Sequence, residues 1–245
     1  MIERLKDQQE KLIINERHEA WGSLARKLAH EIKNPLTPIQ LTIDRLKNKY
    51  LTELDQKNNE NFKENLKIIN NQIKQIEKLV NEFSDFARMP KPIFQKNDLI
   101  TLIKDNIKLL QELDQTIKID FIHNSHQLFF YGDREQLSRV FLNLIKNSIE
   151  SIQQKTEKVN DFNKIITIEL TDFDSHISFV INDNGIGFKN LNNNIKVILN
   201  PYYTTKKEGT GLGLSIVNKI VNDHNGNIQF ISKADGAIIK IIFLK

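Results

Sequence analysis

Phe62, Leu66, Ile69, Ile73, Ile76, Val80, Phe83 and Ala87 follow one another in alternating steps of four and three. Sustained over more than three repeats, this is the heptad seam of a long helix in a coiled coil or bundle. One such helix cannot bury its own seam. A second lies just upstream, where Leu28, Ile32, Ile39, Ile43, Leu46 and Tyr50 keep helical spacing. That upstream helix reads as running from Ile2 to about Tyr50, with Thr52 to about Gln56 as the turn. Its opening, Glu3 to Glu19, is charged with sparse apolar positions (Leu5, Leu12, Ile13), which suits a coiled coil entering from an upstream element. Two amphipathic helices do not seal a core by themselves. The natural solution is an antiparallel hairpin that dimerises into four helices. Met89-Pro90-Lys91-Pro92 then ends the second helix and opens a linker, dividing the chain into 1–92 and 93–245.

The second part mixes periods. Asp98 to Leu113 reads as helix, Ile117–Ile122 and Leu128–Tyr131 as strands, and Asp133 as the cap of a helix reaching about Gln154. Ile165–Leu170 and Ile177–Ile181 read as strands, Thr210 to His224 as a helix ended by Gly226 in the left-handed conformation, and Ile228–Ile231 and Ala237–Phe243 as closing strands. Between them, Asn190 to Asn194 is a polar stretch. The order suggests a mixed, mostly antiparallel sheet with helices on one face, an α+β fold.

Composition removes several classes of function. The 245 residues carry 35 basic and 31 acidic side chains, a formal net charge of +4 that is spread out, so nucleic acid is not expected. There is no cysteine, hence no disulfide or thiolate metal site, as fits a reducing cytoplasm. No run of about 18 apolar residues and no signal-peptide core is present, so no membrane segment is expected in this chain.

Four stretches have the residue types that chemistry needs. In Leu28-Ala-His30-Glu31-Ile-Lys33-Asn34-Pro35, His30 lies about 200° from both Leu28 and Ile32 around the helix, off the apolar seam. Pro35 crowds the carbonyl of Glu31, so a bend just after His30 is expected. The zinc pattern H-E-x-x-H fails, because Asn34 stands where the second His would be. On the helix after Asp133, the residues Asn143, Lys146, Asn147 and Glu150 form one polar face, and one amide oxygen there could complete an octahedral Mg²⁺ otherwise held by phosphates and water. Asp183-x-Gly185-x-Gly187 ends a strand, where glycines let the backbone approach a ligand and a carboxylate can accept from an exocyclic amine. Gly209-Thr210-Gly211-Leu212-Gly213 opens a helix whose N–H groups suit phosphate, without the G-K-[ST] of a Walker loop. Ahead of it, Pro201 to Lys206 reads as a lid hinge. Taken singly, each has a bland alternative: a wet helix face or an ordinary turn. His18, His123, His126 and His224 have only that reading, His224 as a structural residue near a helix C-terminus.

In this order and spacing the four stretches resemble the transmitter region of bacterial sensor histidine kinases, over nearly all of the chain after about Glu16. His30-Glu31-x-x-Asn34-Pro35 is similar to the H-box, Asn143-x-x-x-Asn147 to the N-box, Asp183 to Gly187 to the G1 box and Gly209 to Gly213 to the G2 box. Ala29 to Leu41, followed by Asp44-Arg-Leu, most resembles the NtrY type of nitrogen-regulation kinase. The resemblance implies a dimeric hairpin carrying His30, followed by a two-layer α/β ATP-binding domain of the Bergerat (GHKL) type. It implies that Asn147 holds Mg²⁺ and that Asp183 binds the adenine amine of ATP. Asn143, Lys146, Gly185, Gly187, Thr204, Thr205, Lys206, Gly209, Thr210, Gly211, Leu212 and Gly213 would complete the pocket and lid. The chain departs from the family pattern at Gly187-Phe188-Lys189, at Asn200 before Pro201 and at His224-Asn225-Gly226.

The function expected from this resemblance is an ATP-dependent protein-histidine kinase, a homodimer that phosphorylates His30. Imidazole is largely neutral at cytoplasmic pH, and Glu31 can orient the ring and take its proton. The phosphoryl group would pass to an aspartate of a response-regulator receiver domain, NtrX-like if the NtrY likeness holds. Asn34 would orient a water for phosphatase activity toward that partner. Members of this type usually carry membrane and sensor segments upstream, so the chain is expected to be cytoplasmic or the cytoplasmic part of an inner-membrane sensor. Two other readings compete: an ATPase clamp of the same superfamily, which would not need His30 and Glu31, and a non-catalytic ATP-binding dimerisation adaptor.

Overall fold

The computed structural model describes residues 28–29, 31–50, 56–87, 89–159, 162–188, 195–206, 209–233 and 235–245. His30, the opening of the first helix, the turn from Thr52 and the Asn190–Asn194 stretch lie outside the described residues. The chain divides into two compact units, one of Met1–Pro90 together with Lys206–Thr210 and the other of Lys91–Thr205 together with Gly211–Lys245.

The first unit is a helical hairpin. Helix α1 (31–50) continues through Pro35 and Pro38, and helix α2 spans Gln56–Ala87. The Thr42 hydroxyl donates to the Pro38 carbonyl at 2.8 Å, a local bond that long helices tolerate on an exposed face. Leu36, Ile43, Leu66 and Ile73 form the buried core of the hairpin, with Phe62 packed against it. Tyr50 meets Phe62 edge-on at 6.3 Å.

Burial differs from the periodicity in an informative way. The buried positions recur every seventh residue, at Ala29, Leu36 and Ile43 and again at Leu66, Ile73 and Val80. Ala29 and Leu36 were not in the expected seam. Ile32, Ile39 and Leu46, and likewise Ile69 and Ile76, are also apolar and also spaced by seven, yet they are exposed at 37–46% in the single chain. A heptad has two apolar positions, and the hairpin covers one of them.

The second unit is a layer of helices on a five-stranded sheet. Its elements are β1 (Gln95–Asp98), α3 (Leu99–Gln111), β2 (Lys118–His123), β3 (Phe129–Gly132), α4 (Arg134–Thr156), β4 (Ile165–Asp172), β5 (His176–Asp183), α5 (Gly213–Asp223), β6 (Gly226–Ser232) and β7 (Ala237–Leu244), with a 3₁₀ turn at Ile195–Leu199. The sheet order is β2-β4-β5-β7-β6, with β2 parallel to β4 and the other pairs antiparallel. Burial alternates along β7, as one covered face requires. Ile166, Ile168, Ile181, Ile239 and Ile241 meet the helices, and Phe141 of α4 packs on Phe179 of β5 with ring centroids 5.0 Å apart.

The predicted Asp133 cap forms, and Asp98, read from the sequence as the first helical residue, caps α3 instead. The Asp133 carboxylate accepts from the Gln136 N–H at 2.9 Å, and the Asp98 carboxylate accepts from the Ile100 N–H at 3.2 Å. Two local expectations are corrected. Asn225, not Gly226, takes the left-handed conformation after α5, with φ 54°. Asparagine tolerates that region. Gly226 instead opens β6, where a Cβ would come within 2.9 Å of the Ile242 carbonyl oxygen. In addition, β1 pairs antiparallel with β3 in a small separate sheet that its polar sequence gives no reason to expect.

Candidate functional site

Helix α4 gathers the motifs. Its buried side, including Leu137, Phe141, Leu144 and Ile145, anchors it to the sheet, which aims Asn143, Asn147, Ser148 and Ser151 along the side of the helix facing the G1 and G2 segments.

Asp183 ends β5 at the floor of this region and is only 5% exposed. Its Oδ1 accepts from the Gly185 N–H at 3.0 Å and from the Ser151 hydroxyl at 3.4 Å, while its Oδ2 accepts from the Ser148 hydroxyl at 3.3 Å. Burial pushes the carboxyl above its ordinary value, and the Gly185, Ser148 and Ser151 donors counter that only in part. A buried carboxylate that keeps acceptor capacity can bind a donor on a ligand.

The glycines are needed for close approach. A Cβ on Gly185 would lie 2.2 Å from the Ser151 Oγ and 2.6 Å from the Ser151 carbonyl carbon, so the G1 turn rests directly on the backbone of α4. The Ile186 N–H completes the splice by donating to the Ser151 Oγ at 3.1 Å. Gly187 has φ 66° and abuts the carbonyl of Gly236.

The G2 segment differs from expectation at its start. Helix α5 begins at Gly213, not Thr210, and its N-cap Leu212 offers no capping side chain. Gly211 takes φ 70°, and a Cβ there would strike the Tyr202–Tyr203 backbone at 2.4 Å. The Tyr202 N–H donates to the Gly211 carbonyl at 3.1 Å. Gly211 is thus tied to the Tyr202–Tyr203 stretch rather than wound into the helix. Gly213 itself lies against α4, with its Cβ position 3.2 Å from the Asn143 Oδ1. An 11-residue helix that starts with a glycine and lacks a side-chain cap presents N–H groups suited to phosphate.

The structure therefore brings Asn143, Asp183, Gly185 and Gly213 together around α4. Asn147 is half-buried on the same helix. Lys146 lies further out, paired with Glu150 at 3.9 Å. Thr204 and Thr205 are exposed and Lys206 is half-buried. The Lys206 carbonyl accepts from the Gly209 N–H at 3.4 Å. Glu31 and Asn34 are exposed on α1, in the first unit. Sequence reasoning missed Ser148 and Ser151, whose i, i+3 spacing opposite Asp183 was the available signal. It also missed Gly236, announced by the Asp235-Gly236 dipeptide between two strands.

Two family models match the chain. Residues 20–92 match the His Kinase A (phospho-acceptor) domain, and residues 132–245 match the Histidine kinase-, DNA gyrase B-, and HSP90-like ATPase. This chain belongs to the sensor histidine kinases. An NtrY-like sensor histidine kinase of Rickettsia prowazekii is 39% identical over 99% of this chain and 39% of its own length. The nitrogen regulation protein NtrY of Azorhizobium caulinodans is 36% identical over 92% of this chain and 28% of its own. The chain thus spans about two fifths or less of these sensor histidine kinases. Among solved structures, the histidine kinase ThkA in complex with the response regulator protein TrrA is similar over 99% of this chain and 67% of that one, at 25% identity and a TM-score of 0.63. Among the described residues, no helix is long and apolar enough to cross a membrane.

Proposed function

We propose that this chain is the transmitter of a sensor kinase: a homodimeric, ATP-dependent protein-histidine kinase that phosphorylates His30 and passes the phosphoryl group to a receiver-domain aspartate. The observation that carries the reading is the convergence of Asn143, Asp183, Gly185 and Gly213 on α4, in a chain that also matches a phospho-acceptor domain. The second match favours a kinase over an ATPase clamp, which has no use for a phospho-acceptor helix. The domains divide the work, 1–92 for dimerisation and phosphotransfer and 93–245 for ATP.

The α4 site fits ATP. Asp183 keeps a buried carboxylate for an exocyclic amine, and α5 begins without a capping side chain. The described residues contain no cluster of three or more acidic, His or Cys ligands. On the family likeness, Mg²⁺ would be held by the Asn147 amide oxygen together with phosphate oxygens. When bound, ATP supplies the γ-phosphoryl group and Mg²⁺ offsets its charge. An imidazole nitrogen of His30 would accept that group as the β–γ bond breaks and ADP leaves, and Glu31 would take the ring proton as general base. The family likeness also assigns Thr204, Thr205, Lys206, Gly209 and Thr210 to nucleotide binding.

Incubating the chain with γ-labelled ATP tests the proposal. Acid-labile, alkali-stable label on the protein supports the kinase. Phosphate release without label would make it a clamp, and neither would make it an adaptor.

The exposed heptad row supports the homodimer, since a second copy of the hairpin would cover Ile32, Ile39, Leu46, Ile69 and Ile76. Ile39→Glu combined with Ile76→Glu should convert the dimer to monomer, because two charges per chain would be buried unpaired. Sedimentation equilibrium reads the mass directly, and an unchanged dimer would refute this interface.

Asn34 and Glu31 should separate the two activities toward the receiver partner, an NtrX-like protein on the NtrY likeness. Both are exposed, three residues apart on α1. A neutral amide can orient water but is too weak a base to assist His30. Asn34→Ala should keep autophosphorylation and slow dephosphorylation of the partner, while Glu31→Ala should lose autophosphorylation first, by roughly the 10²–10⁴-fold of general base catalysis. Equal loss of both rates in Asn34→Ala would leave Asn34 a structural residue.

A further inference from the structure

Lys155 is the last basic residue of α4, two turns beyond Asn147, and none of the four motifs includes it. Its side chain is only 16% exposed. The ammonium donates to the backbone carbonyl of Asn184 at 2.7 Å, pairs with the Asp235 carboxylate and lies 4.5 Å from the centre of the Phe162 ring. A mostly buried lysine needs such partners.

The Asn184 carbonyl matters because of what shares its peptide group. A peptide is planar, so fixing its oxygen fixes the N–H at its other end. That N–H belongs to Gly185 and donates to the Asp183 Oδ1 at 3.0 Å. The line therefore runs from the Lys155 ammonium through the 184–185 peptide to the Asp183 carboxylate. A hydrogen bond at one end of an amide also polarises the other.

The remaining sides of this peptide are closed. The Asn184 Oδ1 accepts from the Ile165 N–H at 3.0 Å, at the start of β4. Gly236, with φ 97°, is pressed so close that a Cβ would lie 2.8 Å from the Asn184 Cα. Asp235, the partner of Lys155, immediately precedes it. Lys155 thus also holds the β6–β7 turn against the G1 segment.

We propose that Lys155 is a positioning residue for the nucleotide site. It orients the 184–185 peptide, and through it Asp183, for recognition of the exocyclic amine of an adenine nucleotide. Asp235 acts one step further out, by holding Lys155. This rests on the kinase reading above and on the adenine role given there to Asp183.

The test is direct nucleotide binding by the full chain, measured by calorimetry with ATP and with inosine triphosphate, whose base carries an oxygen in place of the amine. Autophosphorylation kinetics accompany it. Lys155→Met should weaken ATP binding about five- to tenfold, as for one lost hydrogen bond. It should weaken inosine triphosphate binding much less, so the preference for ATP narrows. KM for ATP should rise while kcat changes little. Lys155→Arg, which keeps the charge and the donors, should recover most of the preference, and Asp235→Asn should show a smaller loss in the same direction. Equal weakening of both nucleotides, or an unchanged preference for ATP in Lys155→Met, would overturn the proposal. If Lys155→Met does not fold, Asp235→Asn and Lys155→Arg decide it: an ATP preference unmoved in Asp235→Asn would overturn it. If the unchanged chain binds ATP no better than inosine triphosphate, the adenine role of Asp183 fails, and this proposal with it. Failure of the Lys155 variants alone leaves the kinase reading standing.

Discussion

A His30→Gln chain is expected to take no label from γ-labelled ATP while binding the nucleotide as the unchanged chain does. Glutamine keeps a polar side chain of comparable reach but has no nucleophilic nitrogen. The position lies off the apolar seam expected from the sequence, and Glu31, Lys33 and Asn34 are exposed although Ala29 is buried, so the cost in stability should be small. Three of the other histidines have ring contacts of their own. His224 is buried, with Nδ1 within 2.8 Å of the Ile220 carbonyl and Nε2 accepting from the Asp133 N–H at 2.9 Å, so both ring nitrogens are engaged. His176 stacks on Phe173 at 4.6 Å, and the His123 Nδ1 meets the Ser125 carbonyl at 2.8 Å. Label on the variant at the unchanged rate, found by mass spectrometry at any other histidine, would remove His30 from the mechanism.

Much of this fold was legible because local and global signals agree. Asp98 and Asp133 cap helices whose apolar residues fall on one face, and the strands alternate over a half-covered sheet. What could not be read depends on long-range contact. The pairing of β1 with β3 is set by a partner strand 34 or so residues away, and the four polar residues Gln95 to Asp98 carry no pattern of their own. The start of α5 was misplaced for a related reason. Thr210 and Gly211 have nothing against helix in their spacing, but Gly211 abuts the Tyr202–Tyr203 backbone, which holds it at positive φ.

The site divides in the same way. Asp183, Gly185 and Gly213 were visible because a D-x-G-x-G and a G-x-G-x-G constrain backbone geometry, and backbone needs leave a sequence signature. Ser148, Ser151, Lys155 and Gly236 were not, because they act on Asp183 or its neighbours across the tertiary structure. On α1, the expected seam mixed two sets of apolar residues. Periodicity identifies the helix but does not say which of its two heptad rows faces the hairpin partner. The exposure of Ile32, Ile39 and Leu46 beside the burial of Leu36 and Ile43 resolves that.

The second large effect is expected at Asp183, where ligand binding and stability should move in opposite directions. Asparagine is nearly the same size and can still accept from the Gly185 N–H, and the Ser148 hydroxyl can rotate to accept from its amide. What disappears is the charge. On the proposed reading, Asp183→Asn should weaken ATP binding about 10- to 100-fold, the worth of a hydrogen bond to a charged group. The ligand-free chain should behave otherwise. Burial raises the carboxyl above its ordinary value, so the folded chain holds that proton more tightly than the unfolded chain. Such a group favours folding below the ordinary carboxylate range, and that contribution is lost as pH rises through the raised value. At neutral pH the buried Asp183 therefore costs the empty protein stability, a cost that asparagine does not carry. Thermal melts without nucleotide should place Asp183→Asn at or above the unchanged chain at pH 7, with the difference shrinking as pH falls toward about 4. With saturating Mg·ATP at pH 7 the order should reverse, since the unchanged chain gains more from ligand linkage. A variant that binds ATP normally would exclude Asp183 from recognition. One that loses binding and also melts far lower at pH 7 would make Asp183 a structural residue of the β5 end.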